Sequence, residues 1–256
     1  MSDWLARWSA WRRTRTLEKH AIPEALWHAT LGRFPFLGKR SASDVERLRD
    51  MATLFLTRKE FSGAGGLTVT DEMAVAIAAQ ACVPVLELGL QCYDGFVGIV
   101  VHPDAVVARR EVVDDAGVVH RYTEELSGEA MSGGPLMLSW SDVAQAGESA
   151  AWGYNVVIHE FVHVLDMHAA RSGLYIATHG SDWPRRLAAE FERFVERVDA
   201  GEDTLVDPYG AEAIEEFFAV ASEAFFVTPG ELRNEEPVLY ALLVDFFRQR
   251  PADDIA

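Results

Sequence analysis

The chain has few cysteines and few positive charges, and both shortages narrow the class of protein. Cys82 and Cys92 are the only two cysteines in 256 residues, and their spacing fits neither a disulfide framework nor a metal-binding pair. Lysine and arginine number 23 against 40 aspartates and glutamates, which gives a formal charge of −17. A nucleic-acid-binding surface needs the opposite sign, so we expect no nucleic acid partner.

Long apolar runs are also missing. No apolar stretch reaches the roughly 20 residues of a transmembrane helix, and no secretory signal opens the chain. We therefore expect a cytoplasmic protein without a membrane partner. Its length predicts one large domain, or a core with a small appendage, and its 49% hydrophobic residues can bury a sizeable core. We assign residues 1–40 to an N-terminal arm and residues 41–256 to a single domain.

Hydrophobic periodicity predicts a small mixed β-sheet in the first half and helices after it, a mostly helical α+β fold. Ser43 is the candidate N-cap of a helix over 43–61, and a second helix covers 70–82. The predicted strands are 96–102, a hairpin of 111–114 with 118–123, and 136–140. The later helices are 152–168, 182–199, 211–227 and 235–249. The strand at 136–140 is placed where an exposed edge could run beside the next helix.

The helix predicted over 152–168 contains the motif His159-Glu160-x-x-His163. Two histidines four residues apart lie on one helix face and can bind one Zn²⁺, and Glu160 beside them can accept a proton from water. The segment is apolar nearly all round, which is typical of a buried helix rather than a solvated one. Buried imidazoles and carboxylates need partners or a metal, so the pattern favours a zinc site over a core cluster without metal.

A catalytic zinc site needs a third protein ligand and an open position for water. In the pattern HExxHxxGxxH a third histidine would stand at position 169, which is Ala169, so that class is excluded. Glu216 and Glu223 share one face of the helix predicted over 211–227. Spacing does not choose between them, since one could bind the metal while the other holds a histidine N–H. Asp166 could also orient a ligand, and an ordinary helix-end aspartate is the alternative.

Four segments together resemble a known family. They are NVVIHEFVHVLD (155–166), EFFAVASEAFF (216–226), PLMLSW (135–140) and AAQACVPVLELGL (78–90). They are similar to Mlc titration factor A, a family of glucose-regulated zinc metallopeptidases of the gluzincin type. The resemblance covers residues 48–247 and implies a mostly helical, zincin-like metallopeptidase core with a small sheet.

The resemblance also implies roles for single residues. It implies one Zn²⁺ per chain held by His159, His163 and Glu216, with Glu160 as general base and Tyr209 assisting the tetrahedral intermediate.

It further implies an aminopeptidase-like metalloprotease with a peptide substrate and a link to a transcriptional repressor of sugar uptake. The alternative is a non-catalytic regulatory protein that sequesters such a repressor. Asp166 and Glu223 would support the ligands. We expect the peptide to lie extended against the strand formed by Leu136, Met137 and Leu138.

Overall fold

Helices form most of the fold. The structure is a computed structural model and describes residues 11, 13–113, 119–126, 128–130, 134–149, 153–172 and 182–253. The helices of the first half are α1 (13–20), α2 (Glu24–Arg33), α3 (Pro35–Gly38), α4 (Ala42–Leu56) and α5 (Asp71–Cys82). Those of the second half are α6 (Trp140–Ser149), α7 (Val156–Ser172), α8 (Trp183–Asp199), α9 (Ile214–Val227), α10 (Pro229–Glu235) and α11 (Pro237–Phe247). Within the described ranges, every helix is too short or too polar to cross a bilayer.

The strands form one four-stranded sheet and a separate hairpin. They are β1 (Glu60–Gly63), β2 (Gly98–His102), β3 (Val106–Val113), β4 (Val119–Leu126), β5 (Gly128–Ala130) and β6 (Leu136–Ser139). The sheet has the order β1-β2-β6-β5, with β1, β2 and β6 parallel and β5 antiparallel to β6. The hairpin of β3 and β4 is confirmed and is longer than predicted. Its predicted turn, 115–117, lies outside the described residues. The mostly helical α+β fold with a small mixed sheet is therefore confirmed.

The strand predicted as an exposed edge is not an edge. β6 pairs with β2 on one side and with β5 on the other, and its residues Leu136 and Leu138 are buried. The outer strand on this side is β5, which the sequence did not predict. Its residues Gly128, Glu129 and Ala130 are neither β-branched nor aromatic, so strand propensity is weak.

Capping residues explain where α4 begins. Ser41, not the predicted Ser43, is the N-cap, because its Oγ accepts a hydrogen bond from the backbone N–H of Asp44 at 3.1 Å. The helix ends at Leu56 rather than at 61. The chain then enters β1 at Glu60, which pairs with Gly98 of β2.

Phe161 fixes the orientation of α7. Its ring lies 5.0 Å from that of Tyr93, 5.6 Å from that of Phe55 and 5.8 Å from that of Phe96, measured between ring centroids. Residues two positions apart lie on opposite sides of a helix. The face of α7 that carries His159 and His163 therefore points away from the aromatic cluster.

A second aromatic cluster holds α9 in the core of the helical half. Phe218 lies 5.5 Å from Trp183 and 5.0 Å from Phe246, and Phe225 lies 5.2 Å from Tyr240, between ring centroids. Trp27, Phe34 and Leu37 of the predicted arm are buried in the same core as the later helices. A separation of residues 1–40 from the rest stays a prediction.

Candidate metal centre

The residue directly before α7, Asn155, orients the helix that carries both candidate histidine ligands. Asn155 is the N-cap, because its Oδ1 accepts a hydrogen bond from the N–H of Ile158 at 3.0 Å and its carbonyl accepts one from the N–H of His159. These two hydrogen bonds fix the rotation of the first turn of α7 about the helix axis. One turn later His163 follows on the same face, and both imidazoles point at α9.

Three donor atoms from α7 and α9 meet at one point. His159 Nε2 lies 3.1 Å from His163 Nε2, and Glu216 Oε2 lies 3.2 Å and 3.3 Å from these two nitrogens. Among the described residues this is the group of three or more potential ligands close enough to hold one ion. The predicted ligands His159, His163 and Glu216 are thus brought together.

The triangle of donors has the dimensions of a tetrahedral metal site. A metal about 2.0–2.1 Å from each ligand in tetrahedral geometry separates the ligands by about 3.3 Å. The three distances observed are 3.1, 3.2 and 3.3 Å. Moreover, Glu216 Oε2 is buried and accepts no well-directed hydrogen bond from any residue that the structure describes. A buried carboxylate oxygen without such a bond is costly unless a cation balances it, so the donors fit a metal.

Glu223 supports His159 from behind rather than joining the triangle. Its Oε1 lies 2.8 Å from His159 Nδ1, and its Oε2 accepts a short hydrogen bond from the backbone N–H of Asn155. The side chain is almost completely buried. A carboxylate in this place accepts the Nδ1 proton and leaves the lone pair of Nε2 for a metal. The geometry thus separates the two glutamates that spacing alone left open.

The charges of the site are strongly coupled. Burial lowers the pKa of an imidazole, but the carboxylates of Glu216 and Glu223 outweigh burial and raise the pKa of His159 to about 10. Burial also opposes ionisation of Glu216, but both imidazoles outweigh it and hold the pKa of this carboxyl well below its usual range. A metal that binds His159 must displace a proton, so binding is linked to proton release.

Glu160 lies beside the donors and under the edge strand. The side chain is buried, and burial raises its pKa to about 7 against the opposing charges of His159 and His163. A Cβ added to Gly128 of β5 would lie 2.5 Å from Cγ and Oε1 of Glu160. A side chain at position 128 would therefore force either the strand or the Glu160 side chain to move, and glycine permits their present approach.

Tyr209 stands at the open side of the site. Its ring centroid lies 6.3 Å from that of His159, and 42% of the residue is exposed. Its backbone N–H donates to Oδ1 of Asp207, which caps the short 3₁₀ turn Pro208–Ala211. A Cβ at Gly210 would lie 2.7 Å from Val220, so the turn packs closely on α9.

The remaining candidates lie farther from the donors. Asp166 follows His163 on α7, and burial, with the charge of Glu215, raises the pKa of its carboxyl to about 6. The support of a ligand by Asp166 stays a prediction. Leu136 and Leu138 point into the core, and the backbone of Met137 pairs with Val100 and Glu129.

The chain also has relatives among known proteins. A family model described as glucose-regulated metallo-peptidase M90 matches residues 8–248. The chain belongs to the M90 metallopeptidase family. An uncharacterized protein of Synechocystis sp. is 34% identical over 95% of this chain and 90% of its own length. Mlc titration factor A of Serratia proteamaculans is 35% identical over 93% and 92%, and that of Klebsiella pneumoniae is 32% identical over 89% and 87%. The resemblance inferred from the motifs is thus confirmed.

Membership of the M90 family implies a metal ion, and the donor triangle is a group of described residues that could hold it. Three residues that contact its neighbours were not identified from the sequence: Gly128, Asn155 and Gln80. Asn155 gave a usable signal, because an asparagine directly before an apolar helical run is a typical N-cap. Gln80 gave a weaker one, as a single amide within an apolar helix. Gly128 gave none.

Proposed function

We propose that the protein is a zinc-dependent peptidase that hydrolyses peptide bonds with a water molecule activated at the donor triangle. The observation that carries the proposal is the convergence of His159, His163 and Glu216 at tetrahedral distances, with the buried carboxylate of Glu160 beside them. Two nitrogen ligands and one carboxylate, with a fourth position left for water, are typical of catalytic zinc. The third ligand on a later helix matches the gluzincin pattern.

The residues around the triangle divide the reaction between them. Bound zinc would lower the pKa of water towards about 7 and polarise the carbonyl of the substrate. Glu160 accepts the proton of the attacking water and delivers it to the amine that leaves. The hydroxyl of Tyr209 donates a hydrogen bond to the oxyanion that develops. Glu223 holds the Nδ1 proton of His159 throughout, so that Nε2 remains a ligand.

The substrate would bind as an added strand. β5 is the outer strand of the sheet on the side of Glu160, and an extended peptide can pair with such an edge. The close approach of Gly128 to Glu160 supports a peptide bound at this edge, next to the proposed general base. Because β6 is paired on both sides, Leu136, Met137 and Leu138 would act by holding β5 rather than by pairing with the peptide.

The proposed activity is aminopeptidase-like. Release of the N-terminal residue from a peptide with a free amine, but not from the same peptide after N-acetylation, would support this specificity. Cleavage of both peptides at internal bonds would instead identify an endopeptidase. Peptide hydrolysis itself is tested separately from this preference.

A second function is favoured by the name of the relatives, Mlc titration factor A. We propose that the chain also binds a transcriptional repressor of sugar uptake. A non-catalytic protein that only sequesters the repressor is the competing hypothesis. Location in the cytoplasm would bring the protein and such a repressor together.

The Glu160→Gln variant separates the two functions. Glutamine has nearly the same shape but cannot accept the proton, so peptide hydrolysis should fall at least about a hundredfold, the usual contribution of a general base. Zinc content and circular dichroism should remain those of the wild type. Pull-down of the repressor should also be retained.

The matched control is Glu192→Gln, which removes the same charge from the exposed side of α8. It should leave both hydrolysis and pull-down unchanged. Wild-type hydrolysis by metal-loaded Glu160→Gln would contradict the peptidase proposal. Loss of hydrolysis and pull-down together, with zinc and fold intact, would place both functions in one cleft.

A further inference from the structure

A chain of buried hydrogen bonds connects helix α5 to the metal ligands. It begins at Gln80, which is fully buried and is the only polar residue of α5 after its acidic first turn. Gln80 Nε2 donates to the carbonyl of Ala76 at 3.0 Å, and its Oε1 accepts a hydrogen bond from Asn155 Nδ2 at 2.8 Å. These two amides are 75 positions apart in the sequence. A buried amide needs such partners, because an unpaired donor or acceptor in the core loses its hydrogen bonds to water without replacement.

The bonds fix the orientation of both amides. The carbonyl of Ala76 can only accept, so it requires the NH₂ group of Gln80 on its side and leaves Oε1 facing Asn155. Asn155 must therefore turn its own NH₂ group towards Gln80. Its Oδ1 then faces the N–H of Ile158, which is the orientation that caps α7. The reverse orientation would set two donors against each other.

Asn155 also positions the carboxylate of Glu223. Its backbone N–H donates to one carboxylate oxygen, and the other accepts the Nδ1 proton of His159 at 2.8 Å. With both oxygens engaged and only 2% of the side chain exposed, the carboxylate has no room to rotate. Nε2 of His159 is consequently held 3.2 Å from Oε2 of Glu216.

We infer that Gln80 is a positioning residue of the metal centre, which acts through Asn155 and Glu223 to set the orientation and tautomer of His159. Gln80 itself touches neither the donor triangle nor the substrate edge. The identity of the metal as zinc rests on the proposed function. The hydrogen bonds from Gln80 to His159 do not depend on which metal binds.

A double-mutant cycle on the full chain tests the inference. Gln80→Met keeps the length and packing of the side chain but removes both hydrogen bonds. Zinc affinity, measured by competition with a chromogenic chelator, should fall about ten- to a hundredfold, the range for groups that support a ligand. Asn155→Ser keeps an N-cap but has no amide to orient. When Gln80→Met is added to Asn155→Ser, zinc affinity should fall no further.

A spectroscopic readout accompanies the cycle. In zinc-loaded wild type, the Nδ1 proton of His159 should give a protected signal in proton–nitrogen spectra, and in Gln80→Met it should exchange faster with solvent. The control Ser222→Ala removes another buried hydrogen bond from α9, to the carbonyl of Phe218, but lies outside the chain of bonds. It should keep wild-type zinc affinity.

Several outcomes would overturn the inference. One is an unchanged zinc affinity in Gln80→Met. Another is an equal loss of zinc affinity when Gln80→Met is made in the wild type and in Asn155→Ser, because Gln80 would then act through general packing and not through Asn155. If Gln80→Met does not fold, Asn155→Asp replaces it, because aspartate keeps the cap but cannot donate to Gln80. Unchanged zinc affinity in that variant would also overturn the inference. A wild type that binds zinc but hydrolyses no peptide would overturn the proposed function alone, because the cycle measures metal affinity.

Discussion

At the scale of single residues, three of the candidate residues lie against neighbours that take no part in the proposed chemistry. Glu223 holds His159, Asp207 holds the backbone of Tyr209, and Gly128 leaves room for Glu160. A site of this kind has its geometry fixed before a substrate arrives. Substitutions that leave these neighbours intact should therefore remove one chemical step at a time.

Tyr209→Phe is the sharpest substitution of this kind. It removes one hydroxyl from an exposed ring and leaves the turn and the donor triangle unchanged, so zinc content should be that of the wild type. Because the role proposed for the hydroxyl is in the transition state, kcat should fall with little change in KM. We expect a loss of about ten- to a thousandfold, the range for one oxyanion donor. An unchanged kcat would remove Tyr209 from the mechanism.

The sequence revealed the residues whose partners are local and missed those whose partners are distant. His159 and His163 could be identified because helical periodicity alone places them on one face. Spacing narrowed the third ligand to Glu216 or Glu223 but could not choose, since both carboxylates reach His159 and the answer depends on which ring nitrogen each one faces. Gln80 meets Asn155 across 75 positions, and no local pattern encodes that contact.

At the scale of elements, long helices followed their periodicity, whereas some of the short elements were not predicted. α8 and α9 lie close to their predicted limits, whereas β1, β5 and α10 were not predicted. These three elements have only three to seven residues, too few to display a period. Their structure depends on the strands and helices that they contact.

The N-cap of α4 offers a direct test of one such limit. Ser41→Ala should lower the free energy of unfolding by about 1 kcal/mol, the usual value of a lost N-cap. Ser43→Ala is the matched control, because Ser43 lies inside the helix and on its exposed side. That variant should change the free energy by less than about 0.5 kcal/mol. Urea unfolding of both variants measures the difference, and the reverse order would restore Ser43 as the cap.

The approach of β5 to α7 gives a prediction for Gly128→Ala. The added methyl group would lie 2.5 Å from Cγ of Glu160, so the strand or the carboxylate must move. Peptide hydrolysis should fall at least about tenfold while zinc is retained, because the base and not a ligand is displaced. Gly98→Ala in β2 is the control, since its methyl group would meet Pro135 at 3.4 Å. Equal activity in the two variants would contradict this role for Gly128.

At the scale of the whole molecule, the metal would join two parts of the chain that are far apart in sequence. His163 is on α7 and Glu216 is on α9, with α8 between them. A ligand that binds only the folded protein stabilises it in proportion to the logarithm of its concentration. Zinc binding and folding should therefore be linked.

Zinc should accordingly raise the resistance of the protein to urea. At a free concentration about a thousand times the Kd, the expected gain in unfolding free energy is about 4 kcal/mol. A chelator should reverse the gain. Glu216→Ala should show no zinc-dependent gain, whereas the surface control Glu192→Ala should show all of it. A gain that persists in Glu216→Ala would mean that zinc binds elsewhere.

Helix α9 carries Glu216 and Glu223 on the face towards α7, while Phe218 and Phe225 of the same helix pack in the aromatic core. A rigid helix cannot shift one face without the other. In evolutionary terms, selection on the chemistry is also selection on this part of the core. A lineage can exchange these aromatic residues only in combinations that return the Glu216 carboxylate to the same place, so drift in the core is constrained by a site on the opposite face of the same helix.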